Sequence, residues 1–221
     1  MKVRLGAPLL GANELIALRN RQRFAEQSML VLNLLSSPGA GKTTILERSI
    51  ELLGDTMRIG VIEGDLYTDA DAKRIEQKGV RVIQINTEGG CHLDADMVNR
   101  AWVEMDAGPL DLLIIENVGN LVCPAEFDLG EDYKVVVLST AEGNDKVLKY
   151  PLVFREAKAI ILNKIDLLPY TDFSLDRFYS DLARINPDAP IFKVSGRSGD
   201  GMKDWEAWLS EEVKRKAITK G

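Results

Sequence analysis

The sequence has few cysteines and histidines, no long apolar run and no excess of basic residues. Two cysteines and one histidine occur in 221 residues, and no apolar run approaches the roughly 20 residues of a membrane-spanning helix. Lysine and arginine number 28 against 34 aspartates and glutamates, a net charge of −6, which suits neither general nucleic-acid binding nor anionic lipid. Because Met1–Gly6 also lacks the apolar segment of a secretory signal, we expect a cytoplasmic protein with no nucleic-acid or membrane partner.

Strand and helix patterns alternate along the chain, whose 45% hydrophobic residues suffice for a sizeable core. Apolar runs predict seven buried strands: Met29–Leu35, Met57–Glu63, Val80–Ile85, Asp111–Glu116, Lys134–Ser139, Ala159–Leu162 and Pro190–Val194. Helical patterns cover Ala12–Gln27, Ile45–Leu53, Asp71–Lys78, Asp94–Met105, Leu175–Ile185 and Lys203–Arg215. In the first of these, Leu15, Leu18 and Phe24 are predicted to form the buried apolar stripe. Buried strands separated by helices predict an α/β fold with a mostly parallel central sheet and helices on both faces. Ligands of such sheets bind at the C-terminal ends of the strands.

The segment Ser36–Thr44, with the sequence Ser-Ser-Pro-Gly-Ala-Gly-Lys-Thr-Thr, lies between the first strand and a helix, as a phosphate-binding P-loop does. Small residues let backbone N–H groups surround phosphate oxygens, while Lys42 supplies charge and Thr43 a hydroxyl for Mg²⁺. The predicted nucleotide-binding residues here are Ser37, Pro38, Gly39, Ala40, Gly41, Lys42, Thr43 and Thr44. Ser36 replaces the first glycine of the motif, and would cost roughly 1 kcal/mol if its backbone needed a positive φ.

A base-recognition motif, Asn163-Lys164-Ile165-Asp166, follows the sixth strand and has the N-K-x-D pattern. The Asp166 carboxylate can accept hydrogen bonds from both N1–H and N2–H₂ of guanine, a pair of donors that adenine lacks, so the motif favours GTP over ATP. The Lys164 stem can cover the base. Ser195-Gly196-Arg197 follows the last strand and is similar to the second base-contacting loop of GTPases, with a simple turn as the alternative.

Two acidic residues end predicted strands close to the P-loop in the fold. Asp65 closes Glu63-Gly64-Asp65, and Glu116 begins Glu116-Asn117-Val118-Gly119, which has the layout of the GTPase D-x-x-G element. There a carboxylate can hold Mg²⁺ through water and the glycine amide can contact the γ-phosphate. We predict that Lys42, Asp65 and Glu116 are catalytic and that Thr43, Asp65 and Glu116 serve Mg²⁺. No general base is evident, although phosphoryl transfer depends mainly on positioning and charge.

The two cysteines and the histidine fall in two loops that leave strands at one edge of the sheet. Cys91 and His92 follow the third strand, and Cys123 follows Gly119 by four residues. Thiolates and an imidazole suit Zn²⁺ and also Ni²⁺, but the spacing is not that of a zinc finger, and inert buried thiols remain an alternative. Three ligands underfill a tetrahedral site, so water, a transferred ligand or a second subunit would supply the fourth.

Together these motifs resemble the HypB family, hydrogenase maturation GTPases that deliver nickel and belong to the SIMIBI class of P-loop GTPases. The resemblance extends from the N-terminal helix through Ser195-Gly196. Four segments carry it, of which the third is the most specific: Ser36–Thr44, Gly89–Leu93, Glu116–Pro124 and Asn163–Asp166. It implies that Ser36 is normal for the family. From the position of the first helical pattern before the first strand, we predict a helical extension over residues 1–28, followed by a P-loop GTPase domain with an embedded Cys/His metal site over residues 29–221.

The resemblance further implies a function. It implies a GTP- and Mg²⁺-dependent GTPase whose Cys91, His92 and Cys123 bind Zn²⁺ or Ni²⁺ between the subunits of a GTP-promoted homodimer. Nickel would pass to a hydrogenase large-subunit precursor with the help of a small metallochaperone of the HypA type. The Ala12–Gln27 helix is a candidate docking surface for that partner. Cys-rich and His-rich nickel tracts found in some relatives are absent from this sequence, so nickel handling is expected only at the GTPase-domain site.

Three other functions share some of these features. A sister GTPase for urease or a cobalamin enzyme shares the fold and the N-K-x-D motif, but a cobalamin chaperone does not need Cys91, His92 or Cys123. A small-molecule or nucleoside kinase needs an arginine-rich lid, which the sequence does not suggest. A metal-binding regulatory module with negligible turnover cannot be separated from a slow GTPase by motifs alone.

Overall fold

The computed structural model describes residues 7–65 and 70–218. The first six residues of the predicted extension and the last three of the predicted GTPase domain lie outside this range. The strands are β1 (Leu30–Ser36), β2 (Ile59–Asp65), β3 (Arg81–Asn86), β4 (Leu112–Glu116), β5 (Tyr133–Ser139), β6 (Ala157–Asn163) and β7 (Ile191–Lys193). The α-helices are α1 (Ala7–Glu26), α2 (Lys42–Leu53), α3 (Ala70–Glu76), α4 (Ala95–Met105), α5 (Cys123–Glu126), α6 (Lys146–Lys149), α7 (Pro151–Glu156), α8 (Leu175–Ile185) and α9 (Met202–Ile218).

The seven strands form one sheet in the order β3-β2-β4-β1-β5-β6-β7, and every pairing is parallel. The predicted α/β fold is confirmed, and the sheet is wholly rather than mostly parallel. β1, which leads into the P-loop, lies at the centre. Its neighbour β4 separates it from β2, so both predicted acidic strand ends lie on one side of the P-loop, while β6 and the N-K-x-D motif lie on the other.

Alternating residues of β1 face two different layers of the core, as expected of a strand that is buried on both faces. Leu30, Leu32 and Leu34 pack in the layer formed by α2 and α9, where Trp205 is the largest buried side chain. Val31 faces the opposite layer, which α1 and α4 cover. Among the described helices, none combines the length and apolarity that a membrane span requires.

Helix α1 buries a different stripe from the predicted one. Leu15 and Leu18 are 63% and 50% exposed, so that part of the prediction is wrong, whereas Phe24 is buried as predicted. Over residues 11–26 of this helix the buried positions are Asn13, Ala17, Asn20 and Phe24, whose spacing of four, three and four residues is helical. Asparagines are buried here because they form hydrogen bonds, and a buried amide side chain is stable when its polar atoms are all bonded.

Two asparagines fasten α1 to the rest of the domain. Asn13 donates to the Asp128 carbonyl at 2.7 Å and accepts from the Ala95 N–H at 2.8 Å. Asn20 donates to the carbonyls of Ala95 and Leu129 at 2.8 and 2.9 Å. These bonds hold α1 against the start of α4 and the loop before β5, on the layer that faces away from α2.

Candidate functional site

The P-loop connects the buried end of β1 to the first turn of α2. Gly39 and Gly41 have φ angles of 76° and 97°, which glycine adopts without strain. A side chain at Gly41 would also bring its Cβ to 2.5 Å from Asn163 Nδ2. Ser36 is the last residue of β1 and is not among the residues with positive φ. The conformational cost considered for this serine therefore does not arise.

Lys42 is held inside the loop by the same serine. Its Nζ donates to Ser36 Oγ at 2.9 Å, and Ser36 Oγ donates in turn to the Ser37 carbonyl at 2.6 Å. Lys42 is buried, and this desolvation lowers the pKa of its ammonium group, against the opposing effect of nearby Glu116. A buried ammonium without a full counter-ion is poised to pair with a phosphate.

Thr43 and Glu116 meet on the opposite wall of the loop. Thr43 Oγ1 donates to Glu116 Oε1 at 2.8 Å, while the buried Glu116 Oε2 has no hydrogen-bond partner among the described residues. Burial, which is the largest effect, raises the pKa of Glu116 to about 7. A hydroxyl beside a carboxylate with an unsatisfied oxygen fits a hydrated Mg²⁺, which would return Glu116 to its charged form.

Glu63 belongs to this wall, and the sequence analysis did not assign it a role. The parallel register of β2 and β4 places Glu63 directly beside Glu116, and it is only 2% exposed. Burial, followed by the charge of Glu116, raises the pKa of Glu63 to about 8. Its Oε2 also lacks a hydrogen-bond partner among the described residues. The sequence feature that could have identified Glu63 as a site residue is a glutamate within an otherwise apolar strand.

The P-loop and these carboxylates line one cavity of about 450 Å³. Of the predicted residues, it contains Pro38, Gly39, Gly41, Lys42, Thr43, Thr44, Asp65, Glu116 and Lys164. Asp71 and Arg74 of α3, which were not predicted, also line it. Arg74 forms ion pairs with Asp71 at 2.8 Å and with Glu47 of α2 at 2.6 Å. A cavity with lysine on one wall and carboxylates on the other suits a polyphosphate with a divalent cation.

The predicted base-recognition segments lie next to this cavity and are tied to the P-loop. Asn163 donates through Nδ2 to the Ala40 carbonyl at 2.9 Å and accepts through Oδ1 from the Gly196 N–H at 3.0 Å. Lys164 Nζ donates to the Gly39 carbonyl at 2.7 Å. Asp166 Oδ1 is buried without a partner among the described residues. That orphaned acceptor fits the paired donors of a guanine edge.

Side chains outside the predicted motifs support both loops. Arg48 of α2 donates to the carbonyls of Gly196 and Arg197 at 3.1 and 3.2 Å. Ser37 Oγ donates to Glu142 Oε2 in the 3₁₀ turn after β5. Ser195 is buried, whereas the Arg197 side chain is exposed. Neither Arg48 nor Glu142 could be recognised from motif spacing, because each acts on a loop more than 100 residues away in the sequence.

The cysteine and histidine side chains come together at the same edge of the sheet. The candidate ligand atoms of Cys91, His92 and Cys123 all lie within 4.8 Å of one another, and Cys91 Sγ is 3.5 Å from His92 Nδ1. Both cysteines are free, and Cys91 is exposed. The structure thus groups the three predicted ligands, while their role in metal binding stays a prediction.

The surroundings of this trio keep the His92 imidazole and the Cys91 thiol neutral when no metal is bound. Burial lowers the pKa of His92, whose ring packs on Phe127 with 3.9 Å between ring centroids. The hydrogen bond with Cys123 and then burial raise the pKa of the Cys91 thiol. A neutral imidazole has a lone pair available for a metal, and a thiol must lose its proton to bind one.

One prediction concerns Glu63. Its pKa of about 8, against 4.5 for an ordinary glutamate, means that the folded, nucleotide-free protein binds more protons than the unfolded chain between these values. Stability should therefore fall as pH rises from 5 to 8. Glu63→Gln removes this ionisation and should raise the free energy of unfolding by about 2 to 4 kcal/mol at pH 8.5 and by little at pH 5.

The measurement is denaturant unfolding of the nucleotide-free protein across this pH range. Glu212→Gln is the control, since Glu212 is equally buried but bonded to Tyr133 and Arg215, and its loss should destabilise the protein. Parallel pH curves for the wild type and Glu63→Gln would contradict the prediction.

Comparison with known proteins agrees with this geometry. A family model described as "CobW/HypB/UreG, nucleotide-binding domain" matches residues 30–193. A hydrogenase maturation factor HypB from Azotobacter chroococcum mcd 1 is 52% identical over 210 residues, covering 95% of this chain and 69% of the relative. The chain belongs to the HypB family. The matched model spans every predicted site residue except Ser195, Gly196 and Arg197.

Two further HypB proteins extend the comparison. A Helicobacter pylori relative named "Hydrogenase/urease maturation factor HypB" is 40% identical, with 95% of this chain and 88% of that relative covered. A crystal structure of HypB from Helicobacter pylori in complex with nickel superposes with a TM-score of 0.88 at 38% identity, covering 93% of this chain and 97% of that one. HypB membership confirms the P-loop NTPase fold, which in general supports nucleotide hydrolysis.

Proposed function

We propose that this HypB-family chain is a slow GTPase and metallochaperone that carries nickel, or zinc, and assists nickel insertion into a hydrogenase precursor. One observation carries the proposal. Glu116, in the cavity beside the P-loop, and Cys123, in the Cys-His-Cys cluster, are separated by only the six residues 117–122. A change at the phosphate end of this stretch is transmitted along a short, continuous backbone to a metal ligand.

In the proposed cycle, the P-loop amides and Lys42 hold the phosphates of GTP, and Thr43, Asp65 and Glu116 hold Mg²⁺. When bound, the cation supplies positive charge that offsets the charge developing on the phosphates. Water attacks the γ-phosphorus, the bond to the β–γ bridging oxygen breaks, and GDP and phosphate result. Gly119 lies against the P-loop, since a Cβ on it would be 3.0 Å from Pro38 Cα. Loss of the γ-phosphate would relax this contact.

Nickel is the cargo of the cluster formed by Cys91, His92 and Cys123. Two sulfur atoms and one imidazole nitrogen suit Ni²⁺ and Zn²⁺, and they leave room for a further ligand. A second copy of the chain would provide that ligand across a two-fold axis, in a GTP-promoted homodimer. The Helicobacter pylori structure described as a nickel complex supports nickel as the cargo.

The proposed partners follow from family membership and from one surface. The acceptor is a hydrogenase large-subunit precursor, and a small metallochaperone of the HypA type takes part in the transfer. We place this transfer in the cytoplasm. Leu15 and Leu18 on the outer side of α1 are 63% and 50% exposed. A pair of exposed leucines three residues apart on a helix is a suitable docking surface for that metallochaperone.

Urease maturation is the second candidate, because the Helicobacter pylori relative carries both functions in its name. The acceptor protein distinguishes the two candidates: nickel would move from the loaded chain to the apo-hydrogenase precursor or to apo-urease. The remaining alternative is a metal-binding regulatory module that hydrolyses almost no GTP. Measuring phosphate release under single-turnover conditions with Mg²⁺ would test it.

The experiment that tests the proposal is a nickel titration in the presence of a non-hydrolysable GTP analogue or of GDP, with molecular mass followed in parallel. We expect tighter nickel binding and a dimer mass with the analogue. Equal binding in both states would leave a metal site uncoupled from the nucleotide. If nickel bound in neither state, the metallochaperone part of the proposal would be wrong and only the GTPase part would remain.

Guanine selectivity gives a separate prediction. Asp166→Asn places an amide donor opposite the donors of guanine, so GTP affinity should fall by at least about a hundredfold. The same amide can donate to the C2 carbonyl of xanthine, so affinity for XTP should rise. Competition of GTP and XTP against a fluorescent nucleotide measures both, with the exposed Asp172→Asn as the control. Unchanged selectivity in Asp166→Asn would exclude Asp166 as the base-reading residue.

A further inference from the structure

A buried asparagine connects the two candidate sites by a route that no motif identifies. Asn117 follows Glu116 directly and is only 1% exposed. Its Oδ1 accepts from the Leu93 N–H at 3.2 Å and from the Val118 N–H at 2.9 Å. Leu93 is the residue after His92. One side-chain oxygen thus joins the end of β4, at the nucleotide cavity, to the loop that carries two of the three candidate metal ligands.

The Asn117 amide is itself held in one orientation by a chain of buried polar groups. Its Nδ2 donates to Asn33 Oδ1 at 3.2 Å, and Asn33 Nδ2 donates to Glu131 Oε1 at 3.2 Å. Asn33 is fully buried and lies within β1, the strand that leads into the P-loop. Because each member is bonded, the chain fixes the orientation of Asn117 rather than leaving it free to rotate.

The Leu93 side chain contacts the second acidic strand. A Cβ built on Gly64 would lie 2.8 to 2.9 Å from three atoms of this leucine, so the two residues are in close contact. Gly64 immediately precedes Asp65, the other predicted Mg²⁺ ligand. Leu93, which is fully buried, therefore touches the ends of both β2 and β4. Movement of either strand end on nucleotide binding must displace it, because a packed core cannot absorb such a shift.

We propose that Asn117 and Leu93 form a positioning relay through which the nucleotide state adjusts the Cys91–His92 half of the metal site. This inference rests on the proposed function and deepens it. The direct route runs along the backbone from Glu116 to Cys123, and on the way Asn120 Nδ2 donates to the Cys91 carbonyl at 3.3 Å. The relay adds a second connection on the other side of His92, through the Leu93 N–H, so that the loop carrying Cys91 and His92 is tied to the nucleotide side at both ends.

The test measures nickel affinity at saturating GTP analogue and at saturating GDP, with binding followed by thiolate-to-nickel charge-transfer absorption. The wild type should bind nickel at least about tenfold more tightly in one state than in the other. In Asn117→Ala, which leaves the direct route in place, the ratio of the two affinities should fall to about a third of the wild-type value or less. Leu93→Ala keeps the backbone N–H but removes the contact with Gly64, and it should also reduce the ratio of the two nickel affinities. This variant replaces Asn117→Ala in the test if Asn117→Ala does not fold.

A control separates coupling from general destabilisation. Asn186 donates to the carbonyls of Phe154, Arg155 and Ala157. Because Ala157 is the first residue of β6, these bonds lie at the opposite end of the strands from both sites. Asn186→Ala should lower the melting temperature but keep the wild-type affinity ratio. A folded Asn117→Ala or Leu93→Ala protein that retains the full ratio overturns the relay alone. A wild type that binds no nickel, or binds it equally in both states, overturns the proposed function and the relay with it.

Discussion

Replacing Lys42 with alanine should reduce GTP hydrolysis by at least about a hundredfold and abolish the effect of nucleotide on nickel affinity. The Lys42 ammonium is buried in the P-loop, and within the described part of the chain its hydrogen bond goes to Ser36 Oγ. It is therefore available to the outer phosphates, and alanine offers no substitute charge. Because Lys42 is not part of the metal cluster, nickel binding to the nucleotide-free protein should be unchanged.

Two measurements check this prediction: phosphate release with excess enzyme, and nickel titration with and without nucleotide. Lys214→Ala is a matched control, since Lys214 is exposed on α9. An Lys42→Ala protein whose nickel affinity still depended on nucleotide would refute the switch, because the proposed coupling requires Lys42 to hold the outer phosphates.

The second large effect is expected at Cys123. Cys123→Ala should weaken nickel binding by at least about a hundredfold, because even residues that only orient a ligand contribute 10- to 100-fold to metal affinity. Cys91 and His92 are adjacent in sequence, whereas Cys123 comes from another loop and closes the cluster. GTP binding should persist, since Cys123 does not line the nucleotide cavity.

The neighbouring Val122→Ala substitution provides the control for Cys123. Val122 is 52% exposed and precedes α5 directly, so its substitution changes the same backbone segment without removing a sulfur atom. Nickel titration and GDP affinity should match the wild type. If Cys123→Ala bound nickel as tightly as Val122→Ala, the cluster would be two free thiols beside a histidine and not a metal site.

The sequence predicted most of the fold because buried parallel strands have a distinctive pattern. All seven predicted strands exist, and the longer helices are present within a few residues of their predicted ends. The short helices α5, α6 and α7 were not predicted, since four to six residues are too few to show a helical period. Proline at the start of α5 and α7 was the remaining signal.

Contacts between distant strands were less accessible to sequence reasoning. Glu63 joins Glu116 only because β4 lies between β1 and β2, and neither strand order nor register follows from motifs. The α1 stripe was wrongly predicted for a similar reason. Apolar periodicity selected Leu15 and Leu18, whereas Asn13 and Asn20 are buried through hydrogen bonds to residues 75 to 115 positions away. Such partners are visible only in three dimensions.

The attachment of α1 has a consequence for how the protein is made. Asn13 bonds to the carbonyl of Asp128, which is synthesised 115 residues later. At about 5 to 20 residues per second, α1 emerges from the ribosome about 6 to 23 s before that partner emerges. During this interval Phe24 has no core to enter and both asparagines must be satisfied by water. The nascent helix is therefore a natural target for chaperones until the first half of the sheet has emerged.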